Sequence, residues 1–292
     1  MNITPAMIKQ LREATGAGIM ECKKALVAAE GENNTAIEIL RKSGQAKAAK
    51  KSSRIAAEGL IIIRISSDHK IATLLEINCE TDFVAKDEQF VALCNKVADA
   101  TLDDTVNTIE DLMDFTDGST TIKDMQSALI AKLGENIQIR RFNKLHRSGD
   151  VLASYSHGNR IGVLVDMQNA DATLAKDIAM HIAACKPLCI SAQQVGATLL
   201  AKEKEILTEQ TKHSGKPEHI IDKIVAGRLK KYLNEITLLG QSFIKDTDQS
   251  VEQLLKEHSS SVQSFIRYEI GEGIAREQEN FAEEVMAQAG QS

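Results

Sequence analysis

The sequence predicts an α+β fold whose core contains two related units. The first observation is an alternation of apolar and polar residues in GLIIIRIS, SSDH and KIATLLEIN, from residue 59, which is typical of a β-hairpin. The second is that a similar pattern, GDVLASYS, HGN and RIGVLVDM, begins at residue 149. The third is that a helical pattern and a further strand follow each hairpin. We therefore expect two three-stranded antiparallel sheets, each with helices on one face.

The later elements of the two units also correspond. The helices are FVALCNKVADA and KDIAMHIAACK, and the third strands are NIQIRRF at 136–142 and SFIRYEI at 264–270. The two strands share an Ile-Arg step, at 139–140 in the first unit and at 266–267 in the second. We take this step as the point of correspondence between the third strands.

Three short helices are expected in residues 1–44, ahead of the first sheet. Thr4 is suited to cap a helix that has Pro5 at its first position. The third helix is expected to end at Gly44, because glycine commonly terminates helices. The basic run AKAAKKSSR at 46–54 then forms a solvated linker. A core as small as this one is typical of a docking module.

The second unit carries an insertion between its helix and its third strand. ATLLAKEKEILTEQTK and PEHIIDKIVAGRLKKYLNE have helical apolar spacing and are joined by HSGK, which predicts an antiparallel helical hairpin. We interpret it as an interaction arm, and the alternative is that it packs on its own domain. The facing residues are Leu199, Leu200, Ile206 and Leu207 in one helix and Ile220, Ile221, Ile224, Leu229 and Leu233 in the other.

Composition and charge argue against several classes of protein. The net charge is −6 and the pI about 5.7, so no global positive field would hold nucleic acid. The N-terminus lacks the apolar region of a signal peptide, and no apolar stretch approaches the roughly 20 residues that span a bilayer. The five cysteines form no CxxC pair, which favours reduced thiols in a cytoplasmic protein over a disulfide framework.

A search for catalytic and cofactor motifs is largely negative. GEGIAR at 271–276 follows a strand, but arginine replaces the third glycine of a dinucleotide fingerprint and no parallel strand follows. His181, Cys185 and Cys189 recur every four residues, as metal ligands can. Pro187 breaks the helix before the last of them, so we interpret the set as buried thiols and a surface histidine. We expect no cofactor and no bound metal.

The stretch TDFVAKDEQF is the strongest candidate for a functional segment. The first unit is longer here than the second, and loops vary where frameworks persist. One interpretation packs Phe83 inward together with Val84 and Phe90. The other places Phe83 on the exposed first turn of a helix capped by Thr81 or Asp82, where an aromatic beside an acid is typical of an interface hot spot.

Five stretches of the chain carry a resemblance to a known family. They are TGAGIMECKKAL at 15–26, TDFVAKDEQF at 81–90, LGENIQIRR at 133–141, SHGNRIGVLV at 156–165 and FIRYEIGEGI at 265–274. In this order, from the first helix to the last, they resemble the bacterial elongation factor Ts family. That resemblance implies the following domains: a ubiquitin-associated-like helical domain with its basic linker (1–54), a core N-subdomain (55–145), a core C-subdomain (146–190 and 237–272), a helical-hairpin dimerisation insertion (191–236) and a C-terminal helical module (273–292).

The resemblance also implies a function and a partner. It implies a translation elongation factor that binds elongation factor Tu, in GDP-bound and nucleotide-free states, and disturbs its magnesium and phosphate site. GDP is thereby exchanged for GTP, and the chain performs no bond chemistry of its own. We expect a cytoplasmic protein that binds neither a membrane nor nucleic acid directly.

The resemblance assigns roles to particular residues. The magnesium site of the partner would be disturbed by Thr81, Asp82, Phe83 and Val84. Contacts to the same domain of the partner would come from Arg12, Met20 and Lys23, with Ile19 where relatives can have a second methionine, and from Leu133 and Gly134 near its phosphate-binding loop. His157 and Ile244 would contact another domain of the partner.

Two other functions are compatible with the residues. An enzyme could use the two sheets to enclose a pocket, and a small molecule would then raise the melting temperature. A scaffold could use the helical domain and the arm for assembly alone, and it would bind a GTPase without altering nucleotide release.

Overall fold

The computed structural model describes residues 3–118, 120–212 and 217–275, and in these residues the α+β class is confirmed. The helices are α1 (Pro5–Thr15), α2 (Ile19–Ala28), α3 (Asn33–Lys51), α4 (Asp82–Ala85), α5 (Glu88–Ala100), α6 (Ile109–Asp114), α7 (Ile122–Leu133), α8 (Ala172–Cys185), α9 (Ala197–Lys212), α10 (Glu218–Ile236) and α11 (Val251–Glu257). The strands are β1 (Glu58–Ile65), β2 (Ile71–Cys79), β3 (Thr116–Asp117), β4 (Thr120–Thr121), β5 (Ile137–His146), β6 (Val151–His157), β7 (Ile161–Gln168), β8 (Ser242–Phe243), β9 (Asp246–Ser250) and β10 (Ser261–Glu269).

Two three-stranded antiparallel sheets have the same topology. Their strand orders are β1-β2-β5 and β10-β7-β6, so the second strand of each hairpin is the central strand. The central strands carry apolar residues on both faces: Leu75 packs under the helices of its unit, whereas Leu74 points to the opposite side. In the second unit, Val165 packs under the helices and Leu164 points to the opposite side.

The two sheets pack face to face through the sides that their helices do not cover. The shared cluster draws Ile61, Ala72, Leu74 and Leu145 from one sheet and Leu152, Leu164, Tyr268 and Ile270 from the chain of the other. Gly162 lies at this contact, since a β-carbon there would come within 2.6 Å of Ile61 and Leu74. The molecule therefore has a layer of helices outside each sheet and an apolar layer between the sheets.

A buried carboxylate joins the first sheet to the end of the second. Glu76 is fully buried, and its oxygens accept from Arg140 Nη1 at 2.9 Å, from Arg141 Nε at 2.6 Å and from the Gly271 amide at 2.9 Å. The guanidinium of Arg141 also stacks 4.0 Å from the ring centre of Tyr268. Loss of either arginine would leave the buried carboxylate with one cationic partner, which destabilises a buried charge.

The correspondence that we predicted between the third strands is wrong in register. Ile139 pairs with Ile77, whereas Met167, which takes the place of Ile77 in the second unit, pairs with Val262 and not with Ile266. Each third strand has a bulge beside the buried acid of the central strand. The bulged residues Arg140 and Gln263 correspond to each other, so the Ile-Arg steps lie four positions apart in the two strands.

The predicted end of the third helix and the linker after it are also wrong. Helix α3 continues through Gly44 to Lys51, so most of the basic run at 46–54 is helical. Alanine and lysine are strong helix formers, which offsets the cost of an internal glycine, about 1 kcal/mol. Gly44 is buried against the backbone of Ser127 in α7, so the long helix packs on the first unit.

The histidine that we interpreted as a surface residue is buried. His181 is fully buried in α8, where its Nε2 donates to Gln241 Oε1 at 3.0 Å and its Nδ1 accepts from the Ile244 amide at 3.2 Å. Cys185 and Cys189 are half-buried, although buried thiols were predicted there. The helix does end before Cys189, at a residue with left-handed φ of 49°.

The inserted helices α9 and α10 pack on each other, as the predicted hairpin requires. Leu207 and Val225 are buried, whereas Leu199, Ile206 and Ile220, which were predicted to face across the hairpin, are exposed. The connecting HSGK and residues 276–292 of the predicted C-terminal helix lie outside the described residues. Among the described helices, none is long and apolar enough to cross a membrane.

The close approach of the sheets predicts a specific effect of a methyl group at residue 162. Gly162→Ala should lower the free energy of unfolding by about 1–3 kcal/mol in urea denaturation, because Ile61 and Leu74 must shift to admit the β-carbon. The matched control is Gly227→Ala in α10, where the β-carbon meets no atom beyond its own helix within 4 Å. That variant should gain about 0.5–1 kcal/mol, and equal behaviour of the two would contradict the sheet contact.

Burial of His181 predicts a loss of stability in weak acid. Desolvation lowers the pKa of the His181 imidazole below its ordinary value of 6.5, so the unfolded chain takes up this proton at a pH where the folded chain does not. Stability should therefore fall as pH decreases below 6.5. His181→Gln should flatten the dependence of the melting temperature on pH between about 7.5 and about 5. The same slope in both proteins would refute this assignment.

Candidate functional site

The segment after β2 displays an aromatic side chain to solvent. Thr81 caps the single turn of α4, its side-chain oxygen accepting from the Val84 amide at 3.3 Å. Val84 and Ala85 are buried under the first sheet, but Phe83 is 81% exposed. The chain therefore folds as the second of the two interpretations expected, with Phe83 outside and Phe90 in the core. The corresponding segment of the second unit passes from β7 to α8 without such a turn.

Asp82 is an ionised neighbour of this ring. Its carboxylate pairs with Lys86 at 2.7 Å, one turn further along the chain. The hydrogen bond and the charge of Lys86 lower the pKa of Asp82, and Arg160 adds a smaller effect of the same sign. Arg160, in the β6–β7 turn, pairs with Glu58 at 2.7 Å, so the hairpin of the second unit lies against the start of β1.

The segment is tied to the loop after α7 by two reciprocal contacts. Glu135 accepts from the Thr81 amide at 3.1 Å and from the Thr81 hydroxyl at 2.7 Å. In return, Glu80 accepts from the Asn136 amide at 2.6 Å. Gly134 ends α7 in the left-handed conformation with φ of 80°, which turns the chain toward Thr81.

The end of α3 reaches the same loop. Lys51 donates to the carbonyl of Gly134, and Arg54 pairs with Glu80 at 3.5 Å. Asn136 Nδ2 donates to the carbonyl of Arg54 at 2.7 Å. The structure thus brings the end of the N-terminal helices, Leu133–Gly134 and Thr81–Phe83 into one connected region.

The other predicted contact residues are exposed. On the first two helices these are Arg12, Ile19, Met20 and Lys23, and the side chain of Met20 is 62% exposed. In the second unit His157 ends β6 in solvent, and Ile244 is exposed between β8 and β9. None of the described contacts links His157 or Ile244 to α4 directly.

Sequence reasoning missed the residues that hold the segment in place. Glu80, Glu135 and Arg160 each lie in or beside a stretch that carries the family resemblance, but their partners are distant in sequence. The one local signal is an acid directly after a helix-terminating glycine in LGEN, and such an acid is usually solvated. Pairing across so many residues becomes visible only in the fold.

The exposed ring of Phe83 is the feature of this site that suits contact with a macromolecule. The described residues contain no group of three or more His, Cys, Asp or Glu side chains that could hold a metal ion. The sheets that an enzyme would need to enclose a pocket pack directly on each other. A cavity of about 440 Å³ lies elsewhere, between the N-terminal helices and α7, with Glu21, Arg41 and Asp124 among its lining residues.

Comparison with known proteins gives a consistent family. A sequence model described as Elongation factor TS matches residues 80–272. The chain is 53% identical to Elongation factor Ts of Thioalkalivibrio sulfidiphilus over 290 residues, 99% of each chain, and 53% identical to that of Legionella pneumophila strain Paris over 287 residues, 98% of each. It is 52% identical to that of Methylococcus capsulatus over 290 residues, 99% of each. The resemblance in the motifs is thereby confirmed, and the chain belongs to the elongation factor Ts family of translation elongation factors.

Proposed function

We propose that the chain is a guanine nucleotide exchange factor for elongation factor Tu, and that it acts through Asp82 and Phe83. The observation that carries this proposal is a phenylalanine that is 81% exposed on a fixed helical turn, beside an ionised aspartate. A folded protein gains nothing for its own stability from such a ring in water. An aromatic anchor on a rigid element is typical of the centre of an interface.

The proposed mechanism requires no bond chemistry in this chain. A magnesium ion holds the nucleotide through its phosphate oxygens, so displacement of its protein ligands raises the off-rate of GDP. Phe83 would insert between elements of the partner, and Asp82 would act on the same magnesium site. Because the coupling of two binding events is reciprocal, the exchange factor and GDP then weaken each other by the same free energy. GTP then binds the site that GDP has left, which completes the exchange.

The remaining predicted contacts would supply affinity and orientation. Leu133 and Gly134 adjoin α4 through Glu135, which supports a shared contact with the phosphate end of the nucleotide site. The exposed Arg12, Met20 and Lys23 would dock the N-terminal helices on the same domain, and His157 and Ile244 would contact a second domain. The domain boundaries given above and a cytoplasmic location belong to the same proposal.

The direct test is the release of fluorescent GDP from elongation factor Tu in a stopped-flow instrument, with and without this chain. The rate should rise with chain concentration and saturate. A chain that binds the partner without changing the rate would support the scaffold function instead. A change in Met20 should move the half-saturating concentration, because Met20 would add affinity.

We predict opposite effects for two phenylalanines of the same stretch. Phe83→Ala should change the free energy of unfolding by less than about 0.5 kcal/mol, because the ring is exposed. It should slow stimulated GDP release roughly ten- to a hundredfold, about 1–3 kcal/mol of anchor energy. The matched control Phe90→Ala removes a fully buried ring and should cost about 3–5 kcal/mol of stability. A large loss of stability in Phe83→Ala together with normal release would exclude the insertion.

We also propose that the α9–α10 hairpin mediates self-association. Leu199, Ile206 and Ile220 are exposed on it and would offer apolar contacts to a second copy. Sedimentation should give the full chain a mass of more than one copy, and a variant lacking residues 198–233 the mass of its own monomer. If both sediment as monomers, the hairpin has another role, while stimulated GDP release should survive in either case.

A further inference from the structure

The turn that displays Phe83 depends on a carboxylate from another part of the chain. Helix α4 has four residues, and a single turn is not stable by itself in water. Its N-terminal amides need an acceptor, and the Thr81 side chain provides one to Val84. The position of Asp82 and Phe83 therefore depends on what holds Thr81.

Glu135 fixes the role of the Thr81 hydroxyl. This hydroxyl has one proton, which it donates to Glu135 Oε1 at 2.7 Å. The lone pairs of the oxygen accept from the Val84 amide, so the bond to Glu135 orients the hydroxyl without competing with the bond that caps α4. The second oxygen of Glu135 accepts from the Thr81 amide at 3.1 Å, so one carboxylate holds both the backbone amide and the side-chain hydroxyl of Thr81.

The carboxylate is itself held in place. Its neighbour Gly134 has a carbonyl bound by Lys51, and its neighbour Asn136 donates its amide to Glu80. The loop of Glu135 is thus fixed on both sides, and it restrains α4 from a position 54 residues away along the chain. Bonds to charged acceptors are about twice as strong as neutral ones, which suits a rigid brace.

We propose that Glu135 is a positioning residue, which sets the geometry of α4 for nucleotide release without itself needing to touch the partner. This inference rests on the proposed exchange function. A brace of this kind should affect the maximal rate of release more than the affinity for the partner, because a poorly oriented ring can still dock but cannot complete the insertion.

The first measurement uses the chain alone and does not depend on the partner. In Glu135→Gln, hydrogen exchange followed by NMR should accelerate at least fivefold at the amides of Thr81 and Val84, because a neutral amide replaces the charged acceptor. The amides of Gln89 and Phe90, which Asp87 caps at 2.8 and 3.2 Å, should keep their wild-type rates. Unchanged exchange at Thr81 and Val84 would overturn the inference whatever the function of the chain.

The second measurement is stimulated GDP release from elongation factor Tu. Glu135→Gln should lower the maximal rate about three- to tenfold with little change in the half-saturating concentration. In the Phe83→Ala background the same substitution should add almost nothing, since no ring is left to position. A matched control is Glu32→Gln, which alters a glutamate that caps α3 through the amides of Asn34 and Thr35, and it should leave the maximal rate unchanged.

The outcomes separate this inference from the proposed function. If the wild-type chain does not stimulate release, the exchange function fails, and the hydrogen-exchange result alone decides whether Glu135 positions α4. If the wild type stimulates release and Phe83→Ala does not, but Glu135→Gln equals the wild type in maximal rate, the positioning role fails alone. An equal loss in the presence and absence of the Phe83 ring would also overturn it.

Discussion

The arrangement of the whole molecule depends on the direct packing of two sheets that have the same topology. The contact is close because Gly162 has no side chain where Ile61 and Leu74 approach. Beside it, Glu76 is buried with two arginines and the Gly271 amide, so a charge that is costly to bury is fully paired only when the units are joined. Among the described residues, the related acid of the second unit, Asp166, accepts from Ser148 and Gly149. Apolar area holds the units together, and the bond from the Gly271 amide to Glu76 adds a polar link between them.

A duplicated framework of this kind allows one copy to change while the other preserves the fold. The first unit has the additional turn α4, and the second has the α9–α10 insertion. Both additions lie outside the shared sheet layer, so the packing of the core does not depend on their exposed apolar residues. Phe83 is exposed on the first unit and Ile244 on the second, and the proposed function would use them on different domains of the partner.

The fold could be predicted from the sequence to the extent that it follows local pattern. Alternation predicted both hairpins, and helical spacing predicted α5, α8 and the inserted hairpin, because one buried face imposes its period on the residues. The register of the third strands was wrong because the Ile-Arg step lies at different positions relative to the equivalent bulges beside Glu76 and Asp166. The end of α3 was wrong because packing on α7 overrides a glycine signal. At the site, the neighbours of Phe83 indicated its exposure as one of two interpretations, whereas the bond between Glu135 and Thr81 could not be predicted, because nothing local marks a pairing between distant segments.

The central claim is that the chain accelerates release of GDP by weakening the hold of magnesium on the nucleotide, and the dependence of its effect on magnesium tests that claim most directly. The rate of GDP release from elongation factor Tu should be measured with a saturating amount of the chain and without it, across free magnesium from millimolar concentrations to full chelation. If the chain acts on the metal site, its fold stimulation should be largest when magnesium is abundant and should fall as the ion is removed. The reason is that removal of magnesium by itself already weakens the binding of GDP, which leaves less for the chain to weaken. A stimulation that stays the same after chelation would contradict the account.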